Sequence, residues 1–316
     1  MLKEVERDPS KPTKRIFDET VQRNINVDQV PEYHKVKSIL VRKRASLNPA
    51  IPHEISDVEL VGQWKRTWAG SRFLSHQDNE WGILVFGTKK NFKMLQQCNI
   101  VYVDETFKTC PLPYKQFMTI HGLFHGRPLP FVMALMGGKT VGQYRQLFQH
   151  VKSKVREVTG HHWRPRTIVS DFEISLITAI ETEMPQVRTS GCYFHYCQSM
   201  WRRIQNVGLS RGYRRCSRLR KHVRKFMAIG YLPPALVRQN FRLLATSNST
   251  QQLVARHPAL LEFITYIERN YLNGQFPPAF WNVFNRNGDS RTNNHVEGNF
   301  IVLPVNENIF VNEESM

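Results

Sequence analysis

The stretch IVSDFEISLITAIETEMPQVRTSGCYFHYCQSMWRRIQ, residues 168–205, decides how the rest of the chain is read. A short apolar run over 167–169 stops on Asp171. Ile174, Ile177, Ile180 and Met184 then recur every three or four residues, which predicts a helix, and Pro185 ends it. Residues 187–194 form a second strand-like run that closes on Cys192-Tyr-Phe-His195. A second helix comes next, with Cys197, Met200, Trp201 and Ile204 on one face and Arg202 and Arg203 on the other. The pattern is strand, helix, strand, helix, with a carboxylate at the tip of the first strand. Ligands of α/β sheets bind at such strand ends. The stretch reads as half of an active site.

Upstream, residues 99–104 make a buried strand that also ends on an acid, Asp104. Two more strands, 116–124 and 129–135, are joined by a turn at His125-Gly126-Arg127. Thr140 is placed to cap the next helix, where Tyr144, Leu147, Phe148, Val151, Val155 and Val158 form an apolar stripe. A three-strand meander, a helix, a fourth strand, a helix and a fifth strand is the order of an α/β ribonuclease-H-like core. In that core the first and fourth strands lie side by side and parallel. Before it, a turn at Asp78-Asn79 between 72–76 and 81–86 predicts a β-hairpin, and 91–97 a short helix.

Residues 1–56 are polar, basic and punctuated by proline, and read as a flexible arm with one short helix and no packed fold. Past Asn206 the chain turns helical and basic, divided at Pro233-Pro234, Pro258 and Pro277-Pro278. The expected organisation is the basic arm (1–56), a hairpin and helix (57–98), the core (99–206), an all-helical basic insertion (207–285), a segment carrying Glu297 that closes the core (286–299), and a tail (300–316).

Bulk composition narrows the partner. The net charge is +18, and no Asp or Glu occurs from Met184 to Leu261. That span carries Arg202, Arg203, Arg211, Arg214, Arg215, Arg218, Arg220, Lys221, Arg224 and Lys225 among its cations. Clusters of this kind suit nucleic acid, because phosphate neutralisation releases counterions. The opposing reading is a solvated face or a nuclear-import signal, but arginine outnumbers lysine, which favours forked contacts to phosphate. No apolar run suggests a signal peptide or a membrane span, so no membrane partner is expected. Five cysteines without the spacing of a disulfide scaffold suggest a reducing, intracellular compartment.

Asp104, Asp171 and Glu297 are the candidate chemical centre. Two aspartates at neighbouring strand tips, joined by a third acid, would cage two Mg²⁺ or Mn²⁺ ions about 4 Å apart at a phosphodiester. Three carboxylates packed without a cation would repel and take up protons. Each acid taken alone reads equally as a cap or turn residue. Cys192 and His195 form a C-x-x-H element, but zinc takes four ligands and no second pair has the spacing, so zinc is not expected. The plainer reading is a strand-end cysteine and a hydrogen-bonded histidine beside the acids. Trp201 and Trp281 sit in periodic apolar patterns and read as core rather than as base-stacking platforms. Glu173 suits the first turn of its helix electrostatically.

The runs YVDETFK (102–108), TIHG (119–122), Lys139-Thr140 with Tyr144, SDFE (170–173), GCYFH (191–195), WRRIQ (201–205), FPPAFWNV (276–283) and RTNNHVEG (291–298) resemble, in order and spacing, the Mutator-like (MULE) transposase domain. The resemblance implies a DDE transposase with a ribonuclease-H-like core and a helical insertion between the second Asp and the Glu. It implies Asp104, Asp171 and Glu297 as catalytic metal ligands, and metal-dependent hydrolysis at a transposon end followed by strand transfer. DNA as partner, action in the nucleus and a homo-oligomer on transposon ends belong to the same expectation.

The sequence departs from the family pattern at four points. Glu105 stands where glycine is common, no Cys/His module of the FLYWCH type precedes the core, and His295 precedes Val296-Glu297 where a small residue is usual. Pro304 interrupts the helix that should hold Glu297. The expectation is therefore a chain that binds DNA and metal but cleaves slowly or not at all. The alternative is a catalytically inactive, truncated or domesticated DNA-binding protein.

Overall fold

The structure is a computed structural model and describes residues 1–9, 11–24, 30–47, 52–106 and 110–286. At the start of the chain lie three helices, α1 (Leu2–Arg7), α2 (Thr13–Arg23) and α3 (Tyr33–Ala45). Their contact is small: Val5, Ile16 and Leu40 bury one another, and the Arg44 guanidinium donates to the Lys11 carbonyl. Ion pairs one turn apart, Lys14–Asp18 and Arg15–Glu19, line the outside of α2. Three helices with a small shared core thus stand where one short helix and no packed fold were expected. Three apolar residues spread over 1–47 leave no periodic stripe in the sequence, although together they make a small core.

A seven-stranded mixed sheet organises the middle of the chain. Its strands are β1 (Leu74–Asp78), β2 (Ile83–Phe86), β3 (Ile100–Thr106), β4 (Gln116–Phe124), β5 (Arg127–Met136), β6 (Thr167–Ser170) and β7 (Arg188–Gly191), in the order β1-β2-β5-β4-β3-β6-β7. The first five pair antiparallel, whereas β6 runs parallel to β3 and β7 parallel to β6. The hairpin, the meander and the parallel pair agree with the sequence pattern, and the order is compatible with a ribonuclease-H-like core.

Helices α4 (Lys89–Gln96), α5 (Val141–Thr159) and α6 (Ile174–Glu183) share a core with the sheet. Both α4 and α5 open on a capping box, Thr88 with Asn91 and Thr140 with Gln143, which starts α4 two residues before its apolar pattern does. Tyr144, Leu147, Phe148, Val151 and Val155 bury the predicted stripe of α5. The carboxylate of Glu183 ties α6 to α5 by accepting from Arg145 Nε (2.9 Å), Gln149 Nε2 (2.8 Å) and Lys152 Nζ (2.7 Å).

Two boundaries shift. In α6 the buried face is Leu176, Ala179 and Ile180, while Ile174 is 42% exposed. The strand expected over 187–194 stops at Gly191, and Tyr193 already belongs to α7 (Tyr193–Asn206), whose buried face is Tyr193, Tyr196, Met200 and Ile204. A continuous apolar run does not separate a strand from a buried helical turn.

The insertion comprises α8 (Ser210–Arg215), α9 (Ser217–Ala228), α10 (Pro234–Thr246), α11 (Asn248–Arg256), α12 (Ala259–Ile267), a π-helical turn over Glu268–Leu272, and α13 (Pro278–Trp281). These helices share a second core with α7, built on Phe226, Phe241, Phe263 and Trp281. Trp281 is fully buried, stacks on Tyr196 at 4.6 Å, and donates its indole N–H to the carbonyls of Tyr271 and Phe276. It is a core residue, as expected; Trp201 is half-buried against Tyr213. Among the described residues no helix is long and apolar enough to cross a membrane.

Candidate functional site

The site forms where β3 and β6 end. Alternation along β3 sends Val101 and Val103 into the core under α5 and α6, and Tyr102 to the opposite face beside Val169 and Cys192. Tyr102 pairs with Val169 in parallel register. Asp104 lies two residues further along β3, and Asp171 follows directly on the last residue of β6. Asp104 is only 3% exposed and Asp171 is half-buried.

His195, in the first turn of α7, brings Nε2 to 3.8 Å from Asp104 Oδ1. Burial holds its imidazole below the ordinary histidine range, against the opposing pull of the Asp171 charge. Burial thus favours the uncharged ring beside Asp104. Cys192, at the N-cap position of α7, is buried in the apolar cluster with Tyr102 and Val169.

The other face of the strand tip carries a second pair of acids. Glu105 Oε1 accepts from the Tyr144 hydroxyl at 2.8 Å, and Gln116 flanks that hydroxyl at 3.2 Å. Lys139 Nζ lies 3.7 Å from Glu105 Oε2 and 3.6 Å from Glu173 Oε2. Burial, reinforced by the nearby Asp171 charge, pushes the Glu105 carboxyl up to about 7. Burial and the Glu105 charge keep the Tyr144 hydroxyl protonated, so it donates. Glu173 sits at the N-cap of α6 but makes no cap hydrogen bond. Its structural partner is Lys139, not the helix end. The sequence pattern did not reveal this arrangement, although the alternation that turns Asp104 to one face necessarily turns Glu105 to the other.

Glu297 lies outside the described residues. Among the described residues no group of three or more His, Cys, Asp or Glu is arranged to hold a metal ion. Of the expected triad, Asp104 lies on β3 and Asp171 follows the neighbouring parallel strand β6.

Phe172, between Asp171 and Glu173, points into the insertion. Its ring meets Phe276 at 4.9 Å, Phe280 at 5.5 Å and Tyr271 at 5.6 Å, so one aromatic cluster joins the site loop to the helical domain. In that domain α9 buries Leu219, His222, Val223 and Phe226. This turns Arg218, Lys221, Arg224 and Lys225 outward, beside the exposed Arg211, Arg214 and Arg215 of α8. None of these seven forms an ion pair among the described residues. The other three cations behave differently. Arg203 pairs with Glu262 at 3.3 Å, Arg220 folds back onto the carbonyls of Tyr213 and Arg214, and Arg202 stands exposed on α7.

Residues 100–199, from the start of β3 into α7, match the MULE transposase domain family. The segment contains Asp104, Glu105, Lys139, Asp171, Glu173 and His195. This segment is therefore similar to a MULE transposase domain. No curated protein matches the chain.

Proposed function

We propose that the chain is a DDE transposase-derived, DNA-binding protein built on a ribonuclease-H-like core, with metal-dependent phosphodiester hydrolysis and strand transfer as its ancestral chemistry. The observation that carries this reading is that β3, which carries Asp104, and β6, which runs into Asp171, are adjacent parallel strands inside the matched domain.

The residues present fit a hard divalent cation, Mg²⁺ or Mn²⁺. Their donors are carboxylate oxygens, which such ions prefer. Glu105 Oε2 is buried without a hydrogen bond among the described residues, and burial first and the Asp171 charge second push its carboxyl up to about 7. Asp104 and Asp171 would hold the ion, with Glu297 as the third ligand. Such an ion, when bound, polarises a phosphoryl oxygen and lowers the pKa of the attacking hydroxyl or water. His195 sits beside Asp104, while Lys139 restrains Glu105 and Glu173.

The exposed arginines and lysines of α8 and α9 supply the phosphate contacts, through counterion release. The nucleus is the compartment that this partner implies, and assembly as a homo-oligomer on transposon ends belongs to the same proposal. A nicking assay on supercoiled DNA with Mg²⁺ or Mn²⁺ tests the reading. Nicking that disappears in Asp104→Asn and Glu297→Gln, with DNA retention intact, supports the enzyme. DNA retention with no nicking in either metal assigns the chain to the inactive, DNA-binding alternative.

A further inference from the structure

We infer that the turn at Trp68 is a nucleic-acid contact of its own, a rigid finger that stacks on an unpaired base. Of the six tryptophans, Trp163 and Trp281 are buried, Trp64 and Trp201 are half-buried, and Trp81 is 38% exposed; Trp68 is 71% exposed. An indole held so far into solvent has no packing role in the folded chain.

The finger is built to hold it there. Arg66 and Arg72 pair in an antiparallel bridge, and the Phe73 N–H donates to the Lys65 carbonyl at 2.7 Å. Above the bridge, the Thr67 N–H donates to Ser71 O and the Gly70 N–H to Thr67 O, both at 2.8 Å. Gly70 takes φ +79°, the left-handed glycine that closes a three-residue hairpin loop. The Thr67 hydroxyl accepts from the Ser71 N–H, and the Arg66 guanidinium donates to Gly70 O. At the base, the Phe73 ring packs on Phe86 at 5.5 Å, which fixes the finger to the sheet edge.

Charge selects the occupant. Between Glu59 and Asp78 there is no acid, and the charged residues are Lys65, Arg66 and Arg72, all exposed. An exposed aromatic ring among three cations matches a nucleotide, whose base stacks while its phosphate is neutralised. Bases inside a duplex already stack on one another, so an unpaired base, at an end, a gap or a single strand, is what the ring can take.

Sheet register sets the position of the finger. Leu74, just past its base, shares a rung with Phe86, Met133, Thr119 and Asp104 in turn. Four strand spacings separate Leu74 from Asp104, about 19 Å.

The inference rests on nucleic acid as partner, and not on the metal site. Anisotropy titrations of the full chain with a short labelled single strand and with a blunt duplex test it. Trp68→Ala should weaken single-strand binding about tenfold and duplex binding much less. It should leave the dependence of affinity on salt unchanged, because no phosphate contact is removed, and Trp68→Phe should retain most of the binding. Reversing Arg215, Arg218, Lys221 and Arg224 to Glu serves as the comparison. If that variant loses binding while Trp68→Ala matches the parent on both DNAs, the finger is wrong and the DNA reading stands. If the parent binds neither DNA, both fall. If Trp68→Ala changes self-association in sedimentation and not DNA affinity, Trp68 is a protein contact and the inference is overturned.

Discussion

Replacing Glu105 by Gln probes how the carboxylates at the strand tips are balanced. The Glu105 carboxyl is raised from 4.5 to about 7, by burial first and the Asp171 charge second, with the Tyr144 hydrogen bond and Lys139 opposing. That difference corresponds to roughly 3 kcal/mol between the two protonation states. Between those two values the folded chain holds a proton that the unfolded chain has lost. Stability therefore falls as pH rises through this window and levels off above it. A Gln side chain keeps an oxygen to accept from Tyr144 and carries no charge. At about pH 8 the variant should be more stable than the parent by at most roughly 3 kcal/mol, less what Lys139 loses when one carboxylate partner is gone. At about pH 5 the two should nearly coincide. Urea melts across this range read the difference directly. Mg²⁺ at the higher pH should stabilise the parent more than the variant, because an added cation relieves the same crowding. Parallel stability curves for the two proteins across the range would refute the reasoning.

The same geometry leads to three further outcomes. Reversing Arg215, Arg218, Lys221 and Arg224 to Glu should weaken non-specific DNA binding and flatten its salt dependence; an unchanged slope in anisotropy titrations would show this face to be merely solvated. Phe172→Ala removes the ring that joins the Asp171 loop to Tyr271, Phe276 and Phe280, and should cost about 2–3 kcal/mol of stability in chemical denaturation. It should also weaken divalent-metal binding, whereas Phe172→Leu should recover most of the stability. Burial works to raise the Glu183 carboxyl, but hydrogen bonds from Lys152, Arg145 and Gln149 outweigh it and hold the group below its ordinary range. The stability this contributes is present at neutral pH and is lost as pH falls through the folded-state value. Glu183→Gln should therefore lower stability at neutral pH and make the acid limb of a thermal-melt profile shallower.

The strands of the meander and the parallel β3–β6 pair were legible because each is a short apolar run bounded by polar residues or turns. The helix over Val141–Thr159 was legible because Thr140 caps it and five buried residues repeat at helical spacing. The buried face of the next helix differs from its apolar pattern because Leu176, Ala179 and Ile180 meet the sheet core while Ile174 faces away, and apolar residues on both sides of the helix leave the pattern ambiguous. Residues 187–194 failed for a different reason: a strand and a buried helical turn demand the same apolar residues. The Lys139 bridge between Glu105 and Glu173 was invisible, since three residues distant in the chain meet only through the sheet. Trp68 was passed over because a tryptophan in a turn has no periodicity to betray its exposure. The expected role of Glu297 falls on residues outside the described structure, and its test is functional.

The central claim is that Asp104 and Asp171 together make a divalent-cation site. Titration calorimetry with Mn²⁺ on the full chain, on Asp104→Asn and on Asp171→Asn tests it most directly. The account predicts binding by the parent and a loss of about tenfold or more in affinity for each variant, with folding unchanged. Equal Mn²⁺ affinity in all three proteins would contradict it.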